Sequence, residues 1–527
     1  MILNTACCWK PHSYPFLHLA KKIQDRGFDT FQVFEKELQC SYKDKNWEHL
    51  CSINKEKIEK CAVENGLTYN FLSDYLSEDS KANVNKVLEG LDINNWKEQN
   101  YDDLNLFTIT KGSIFRILRK VIKEPSLDEF EVIKSYYIAA ALSIEAFKDL
   151  YRNTKPDVVV FLNGLWYLER LSFEIARRFG IRTFAHENSC FNDRKFFDPN
   201  GVIANRHTFA VNSAHYLEAR ILKDSESLML KDYFQDIYKG AKNTIAQASP
   251  EDSAKIRKKL SISNQRKIAL LISQVPYDTV MVYDSPIYDY LIDFIEDTIE
   301  IFRQSRDYHL IVRLHPYEEI GNNNETLQSL IKKEIPENVS IVHSKQINTY
   351  SLMDICDFGI TVTSQAGLEM LSKHKPVVVL GNAFYANKGF TYDVKDKEQY
   401  PIVLKNVMKN PSFSKNDVEN INKFLYVMIF EYLIPFDPKT NKFTIDGIEK
   451  VVDLLTAGGT ICPVKPYAKR TLNNCNGRSD SDDFVDTWKI YKKKKLWLNL
   501  RKNKLHYIKK GLMQLIYSFK SLIKVFF

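Results

Sequence analysis

The 527-residue chain has nine cysteines but no Cys-x-x-Cys pair. Neither a dithiol redox motif nor a zinc ribbon is therefore written into it, and Cys40, Cys51 and Cys61 stand at spacings that fit no zinc framework. An odd number of thiols on a chain of this length points to a reducing compartment. The opening MILNTACCWKP lacks the charged start and apolar core of a secretory signal, and Pro11 interrupts it. No uncharged run approaches the ~20 residues that a membrane-crossing helix needs. Acidic residues are missing altogether from Trp488 to Phe527, where twelve Lys and Arg stand. The rest of the chain holds 62 basic against 66 acidic residues, so its overall charge of +8 belongs to the tail. A mildly acidic body without a recognisable binding module speaks against a nucleic-acid partner. These absences lead to the expectation of a cytoplasmic protein.

What is present is a β-α rhythm. A long helix is expected over EVIKSYYIAAALSIEAFKDLYRNT, where apolar residues recur at three and four. It is followed by a buried strand PDVVVFLNG, a helix closing on Gly180, and a strand IRTFAHENS. This β-α-β unit places part of a parallel sheet in residues 1–255. A second domain is expected over 256–456, with strands at 267–274, 308–316, 339–344, 358–364 and 376–382. Its helices are expected at 289–305, 324–334, 347–356 and 365–374. Val- and Ile-rich strands alternating with helices indicate an α/β fold with parallel sheets covered on both faces. NDVENINKFLYVMIFEYLIPF and TIDGIEKVVDLLTAG read as closing helices. Residues 457–487 are polar and read as a disordered linker, so their Asp-Ser-Asp at Asp480–Asp482 reads as a solvated acidic patch.

Chemistry is sought at the carboxyl ends of the strands, where doubly wound sheets bind ligands. Those ends offer Gln274 and Asp278; Arg313, His315 and Pro316; and Thr363, Ser364 and Gln365. In TSQAGLE, Ser364 suits a helix N-cap, and Gln365 to Gly367 are expected to offer backbone N–H groups to an anion, with Gly367 allowing close approach. Glu369, one turn in, is placed to accept hydrogen bonds from a ribose. A structural histidine and a surface glutamate are the plain alternatives for His315 and Glu369. The loop FYANKGFT, after the fifth strand, is too aromatic for an ordinary solvent loop; it reads either as a cover on a ligand or as packing between domains.

RLHPYE, TVTSQAGLEMLSKHKPVVVLGNAFYANKGFTYD and, more loosely, SQVPYDT together resemble the bacterial capsule polysaccharide biosynthesis family, which includes retaining β-Kdo transferases. The resemblance spans roughly Gln274 to Asp393. It implies a GT-B-like fold, with two Rossmann-type parallel-sheet domains facing a cleft. It also implies a glycosyltransferase that takes a nucleotide-sugar donor (CMP- or NDP-sugar, with Kdo a candidate) on the second domain and a glycan or glycolipid acceptor on the first. His315 and Ser364 would hold the donor phosphate, and Glu369 would lie near the ribose. Asp278 would attack the anomeric carbon in a retaining, metal-independent transfer requiring no cofactor. Phe384, Tyr385, Lys388 and Thr391 would form a lid that excludes water, with Asn163 and Glu187 on the acceptor side. The same residues leave open a teichoic-acid-type polyol-phosphate transferase and a non-catalytic capsule assembly or export subunit.

The last segment, 488–527, is a basic amphipathic helix by its pattern. Ile508, Leu512, Leu515, Ile516, Phe519, Ile523 and Phe526 form an apolar stripe among Lys509, Lys510, Lys520 and Lys524. Such a helix is expected to lie in the plane of an anionic membrane surface; a basic helix packing on the protein's own body, or on RNA, is the plain alternative. The expected location is therefore peripheral, at the inner face of the cytoplasmic membrane, with capsule assembly or export machinery as a further partner.

Overall fold

Runs such as VVVFL and IALLI, rich in apolar residues and flanked by turn residues, form buried strands because they sit in sheets covered on both faces. The computed structural model describes residues 1–5, 10–35, 38, 56–199, 221–239, 248–318, 326–343 and 345–456. The chain divides into the units Met1–Ala457 and Gly458–Phe527. The second unit, with most of the expected linker and the whole basic tail, lies outside the described residues.

In the first half, strands β1 (Ile2–Thr5), β2 (Thr30–Phe34) and β3 (Tyr69–Phe71) precede a small hairpin, β4 (Asn100–Tyr101) and β5 (Leu104–Asn105). Then come β6 (Val158–Leu162), β7 (Arg182–Asn188) and β8 (Arg194–Pro199). β3, β2, β1, β6 and β7 are parallel neighbours in that order, and β8 joins antiparallel to β7. The expected long helix spans Leu127–Thr154. It starts early because Ser126 and Glu129 close a capping box, which satisfies two otherwise orphaned amides.

In the second half, β9 (Lys267–Ile272), β10 (Tyr308–Arg313), β11 (Val339–Val342), β12 (Phe358–Thr361), β13 (Val377–Val379) and β14 (Tyr392–Asp393) form an all-parallel sheet. Its order is β11-β10-β9-β12-β13-β14. The core beneath it joins Leu310, Val312 and Phe358 to Phe294, Ile299 and Phe302 of the helix Leu291–Arg303. The chain winds outward from β9 and returns to begin again at β12, so the topological switch point lies between these two strands. Ligands bind at such points because the connections diverge there and leave a crevice. The first sheet has its own switch point between β1 and β6. The architecture is the expected α/β one with two Rossmann-type sheets, the second parallel throughout and the first parallel over five strands with antiparallel strands β8, β15 and β16 at one edge.

The structure departs from expectation near the end of the described chain. The segment expected as one closing helix is a helix, Lys415–Tyr426, a wider turn, Val427–Tyr432, and a strand, β15 (Ile434–Asp437). Pro435 forces the break, because the residue before a proline is driven to extended backbone. β15 pairs with β8, and β16 (Lys442–Phe443) pairs with β15, both antiparallel. Residues 434–443 therefore extend the first sheet, although they fall within the span 256–456 drawn for the second domain.

Candidate functional site

Strand β9 ends at the switch point in Ser273-Gln274. The Gln274 side-chain oxygen accepts from the Thr363 amide at 3.2 Å and from the Thr363 hydroxyl at 3.1 Å. Gln274 and Thr363 thus clamp the ends of β9 and β12 together, and both are buried. Asp278 follows, placed by a backbone bond from its amide to Val275 O at 3.0 Å. It caps the helix Thr279–Asp284, its Oδ1 accepting from the Val280 amide at 3.0 Å. The cap fixes the carboxylate's rotamer and leaves Oδ2 without a protein partner among the described residues.

His315 follows β10, the strand beside β9. Its Nδ1 accepts from the Tyr317 amide at 3.2 Å, and the two rings stack 5.4 Å apart. Burial holds its pKa below the ordinary value, Asp278 pulls the other way, and Arg116 and Arg313 lower it further. A neutral imidazole that accepts at Nδ1 carries its hydrogen on Nε2. His315 is therefore a hydrogen-bond donor near neutral pH. Pro316 starts the short turn Pro316–Glu318, whose Glu318 amide donates to His315 O at 2.9 Å. Burial raises the Glu318 carboxyl to about 7, and its Oε2 accepts from the Leu327 amide at 2.8 Å.

Arg313 is used differently from expectation. Its buried guanidinium donates to the His343 carbonyl and, at 3.1 Å, to the Thr349 hydroxyl. It ties β10 to the end of β11 and to the next helix.

The TSQAGLE turn also departs from the anion-cradle picture. Gln365 occupies the N-cap position of the seven-residue helix Ala366–Ser372 and makes no side-chain capping bond. The Ala366 amide donates to Ser364 Oγ at 3.3 Å, and the Gly367 amide donates to Ser364 O at 3.0 Å. Two of the three amides expected to be free are satisfied within the turn. Gly367 is small for another reason: a Cβ there would lie 2.2 Å from the Tyr385 hydroxyl. That hydroxyl donates to Ser364 O at 2.5 Å, so the space expected for an anion holds a tyrosine ring. Glu369 accepts from the Tyr350 hydroxyl at 3.0 Å, and burial raises its carboxyl to about 7.

The FYANKGFT loop is packing. Phe384 and Tyr385 are fully buried, and the Phe384 ring meets Phe196 of β8 edge-on at 5.7 Å. Phe390 packs on Phe424 at 5.3 Å. Asn387 and Gly389 take left-handed backbone, with φ of 58° and 84°, which lets the loop fold back on itself. Lys388 donates to Ala386 O at 3.1 Å, and burial brings its pKa down to about 7. Thr391 donates to the Asp393 carboxylate at 2.8 Å. The lid expected from Phe384, Tyr385, Lys388 and Thr391 is thus a plug between the two sheets, because rings with no water-facing surface gain more by mutual burial than by waiting for a ligand.

In the first half, Asn163 and Glu187 come together at the carboxyl ends of β6 and β7. Asn163 Nδ2 donates to Glu187 Oε2 at 2.6 Å, and its Oδ1 accepts from the Leu165 amide at 2.8 Å. Asn163 has a φ of 25°. Lys195 from β8 donates to Asn188 Oδ1 and has its pKa reduced to about 8 by burial, against a pull from Glu187.

Sequence reasoning missed Arg116, Tyr277, Glu318 and Lys195. Arg116 lies on the helix Leu106–Leu118 of the first half, with its guanidinium 5.6 Å from the Tyr277 ring. Its position in GSIFRILRK gives no sign of what it faces, since that depends on contact across the two halves.

Residues 204–408 match the family described as capsule polysaccharide biosynthesis protein, the family that the motifs resemble. The matched span contains every site residue named on the second sheet. No curated protein matches the chain. Among solved structures, the β-Kdo 2,4 transferase of Thermosulfurimonas dismutans KpsC aligns at 17% identity and TM-score 0.40, over 56% of this chain and 87% of that one. The β-Kdo 2,7 transferase of the same protein aligns at 16% and TM-score 0.37, over 59% and 89%. The glycosyltransferase SnogD from Streptomyces nogalater aligns at 12% and TM-score 0.28, over 86% and 99%.

Proposed function

We propose that the protein is a glycosyltransferase of capsule or related surface polysaccharide assembly, taking its sugar from a nucleotide donor such as CMP-Kdo. The observation that carries this reading is the placement of Asp278 and His315 on adjacent strand ends beside the β9–β12 switch point, within the span that matches the capsule family. His315 and Ser364 follow strands on either side of β9, so their strand ends are roughly 10 Å apart. A phosphate held over the end of β9 can be approached from both sides, with Nε2–H of His315 donating to one oxygen. Oδ2 of Asp278 attacks the anomeric carbon, and the bond to the nucleotide phosphate breaks with its electron pair going to the phosphate. An acceptor hydroxyl then displaces the carboxylate and loses its proton, giving net retention. Donors fixed in place stabilise the departing phosphate. The Asn163–Glu187 pair marks the acceptor side, and the basic segment 488–527 holds the enzyme at an anionic inner-membrane surface, beside the assembly machinery.

Incubation with a panel of CMP- and NDP-sugars tests the chemistry. The expected results are a glycosidic product and a covalent sugar adduct on Asp278 by mass spectrometry. A phosphodiester product would instead indicate polyol-phosphate transfer, and absence of nucleotide binding would indicate a non-catalytic subunit. Deleting Trp488–Phe527 is expected to release the protein from anionic vesicles while transfer to a soluble acceptor continues.

A further inference from the structure

Helix Leu106–Leu118 meets both walls of the site at one residue, Gly112. Its buried side chains Leu106, Ile109, Ile114 and Phe115 anchor it in the first half. A Cβ at Gly112 would lie 2.6 Å from the Tyr283 ring and 3.1 Å from Leu165 O. Leu165 belongs to the turn after β6, where its amide donates to Asn163 Oδ1 at 2.8 Å. The neighbouring Ser113 hydroxyl accepts from the Tyr167 amide, just past that turn, at 2.9 Å. Tyr283 belongs to the helix Thr279–Asp284, which Asp278 caps. Its hydroxyl accepts from the Gly112 amide and donates to Ile109 O, both at 3.2 Å. One helix therefore holds the turn beside Asn163 and the helix behind Asp278.

The capped helix is also tied to its own sheet. The Asp278 amide donates to Val275 O at 3.0 Å, and the Asn382 amide, after β13, donates to Asp284 O at 2.9 Å. These bonds register Asp278 to the second sheet and do not reach the first half. The Tyr283 ring does reach it, through Lys111 Nζ at 5.2 Å and the Arg170 guanidinium at 5.0 Å from its centroid. Attraction between a cation and a ring face tolerates a range of positions. The two hydroxyl bonds are directional, and their partners are backbone atoms of a packed helix. We infer that Tyr283 is a positioning residue: its hydroxyl, seated on helix Leu106–Leu118, sets the Asp278 carboxylate against the Asn163–Glu187 wall and so aligns transfer from Asp278 to the acceptor. A misplacement of about 1 Å between reacting groups costs on the order of 100-fold in rate, so a hydroxyl remote from the reacting atoms controls the step.

The inference rests on the transferase reading, and the experiment tells their failures apart. The full-length protein and its Tyr283→Phe and Gly112→Ala variants are incubated with CMP-Kdo, UDP-glucuronate and UDP-glucose. Transfer is measured with capsule oligosaccharides as acceptor, and the mass adduct on Asp278 without acceptor. Inhibition by free CMP and UDP and thermal melting are measured alongside. Tyr283→Phe keeps the ring and loses the hydroxyl, whereas Gly112→Ala keeps the hydroxyl and displaces the ring. In Tyr283→Phe, kcat for transfer is expected to fall about 10-fold or more. Adduct formation and nucleotide inhibition should stay within about two-fold, since donor and Asp278 share the second sheet. Gly112→Ala should show the same split, and it decides the matter if Tyr283→Phe does not fold. A contact that only packs the two halves would lower the melting temperature and leave the kinetics alone. An unaltered kcat in folded Tyr283→Phe therefore overturns the inference and leaves the transferase reading standing. Equal losses of adduct formation and transfer, or a parallel loss of nucleotide inhibition, also overturn it by moving the effect to the donor side. Turnover without an adduct removes Asp278 as nucleophile, and the inference with it. No turnover of any donor by the unaltered protein removes the transferase reading itself.

Discussion

Of three connections that leave the carboxyl edge of the second sheet, one has a fate opposite to the other two. The loop after β13 carries Phe384, Tyr385 and Phe390, and all three rings are buried. The turns after β9 and β10 carry Asp278 and His315, each with one side-chain hydrogen bond that fixes its orientation. Both look chemically rich as sequence. They differ in how their atoms are satisfied: the first loop spends its rings, its Tyr385 hydroxyl and its Thr391 hydroxyl on the protein itself, whereas the second pair keeps Oδ2 and Nε2 for something else. Aromatic density at a strand end marks packing between sheets as readily as it marks a ligand cover, and unspent polar capacity is the better guide to a site.

The sharpest way to break this contrast is to truncate both sides of it. Asp278→Ala and His315→Ala are expected to lower transfer about 1,000-fold or more, while denaturant unfolding shifts by no more than about 1 kcal/mol. Wild-type transfer by either variant removes that residue from the mechanism. Phe384→Ala and Tyr385→Ala should do the reverse, destabilising the protein by about 3–5 kcal/mol. A Tyr385→Ala protein that melts normally but has lost nucleotide binding would restore the ligand-cover reading. Gly367→Ala, which drives a methyl into the Tyr385 ring, is expected to cost about 1–3 kcal/mol, read as a lower melting temperature.

Glu369 gives a smaller, pH-dependent test beside the same packing. Its carboxyl titrates near 7 in the folded protein and near 4.3 when unfolded. The native state therefore binds the extra proton between these values. Its stabilising contribution is full below about pH 4.3 and is lost as pH rises to and through 7. Glu369→Gln should thus gain stability relative to the unaltered protein between pH 5 and 8, by about 1–2 kcal/mol. The neighbouring Tyr350 hydroxyl can donate to either form, and Lys373, which favours the charged one, reduces the gain. A pH-independent difference would show that the carboxyl is not held neutral. The smallest expected effect is that of Gly389→Ala: there is open space for the methyl, but the φ of 84° opposes it, for a loss of about 1 kcal/mol.

Much of the fold could be read from the chain because the β-α rhythm of Val- and Ile-rich runs and amphipathic helices is local. The six second-half strands include all five that the pattern named, and only the two-residue β14 escaped it. The return of β15 and β16 to the first sheet did not register, since Phe and Ile in FLYVMIFEYLIPF fit a buried helix as well as a strand until Pro435 is given its due. Asp278 and His315 could be placed after strand ends from the sequence alone, because the ends of β9 and β10 follow from local pattern. Gly367 has to be small, as expected, but the cause is the Tyr385 ring arriving from another loop rather than an approaching anion. Arg116 could not have been found by spacing, because the face of its helix that meets Tyr277 and Tyr283 is set by contact across more than 150 residues of chain.

The sequence by itself determined the parallel strands of the two sheets, their carboxyl ends and the residue types offered there, since hydrophobic periodicity and turn chemistry act over a few residues at a time. Only the tertiary structure decided which offered groups were consumed: Arg313 by a carbonyl, Thr391 by Asp393, Gly367 by Tyr385. Hydrogen-bond satisfaction and close packing are properties of neighbours in space, and those neighbours come from distant parts of the chain.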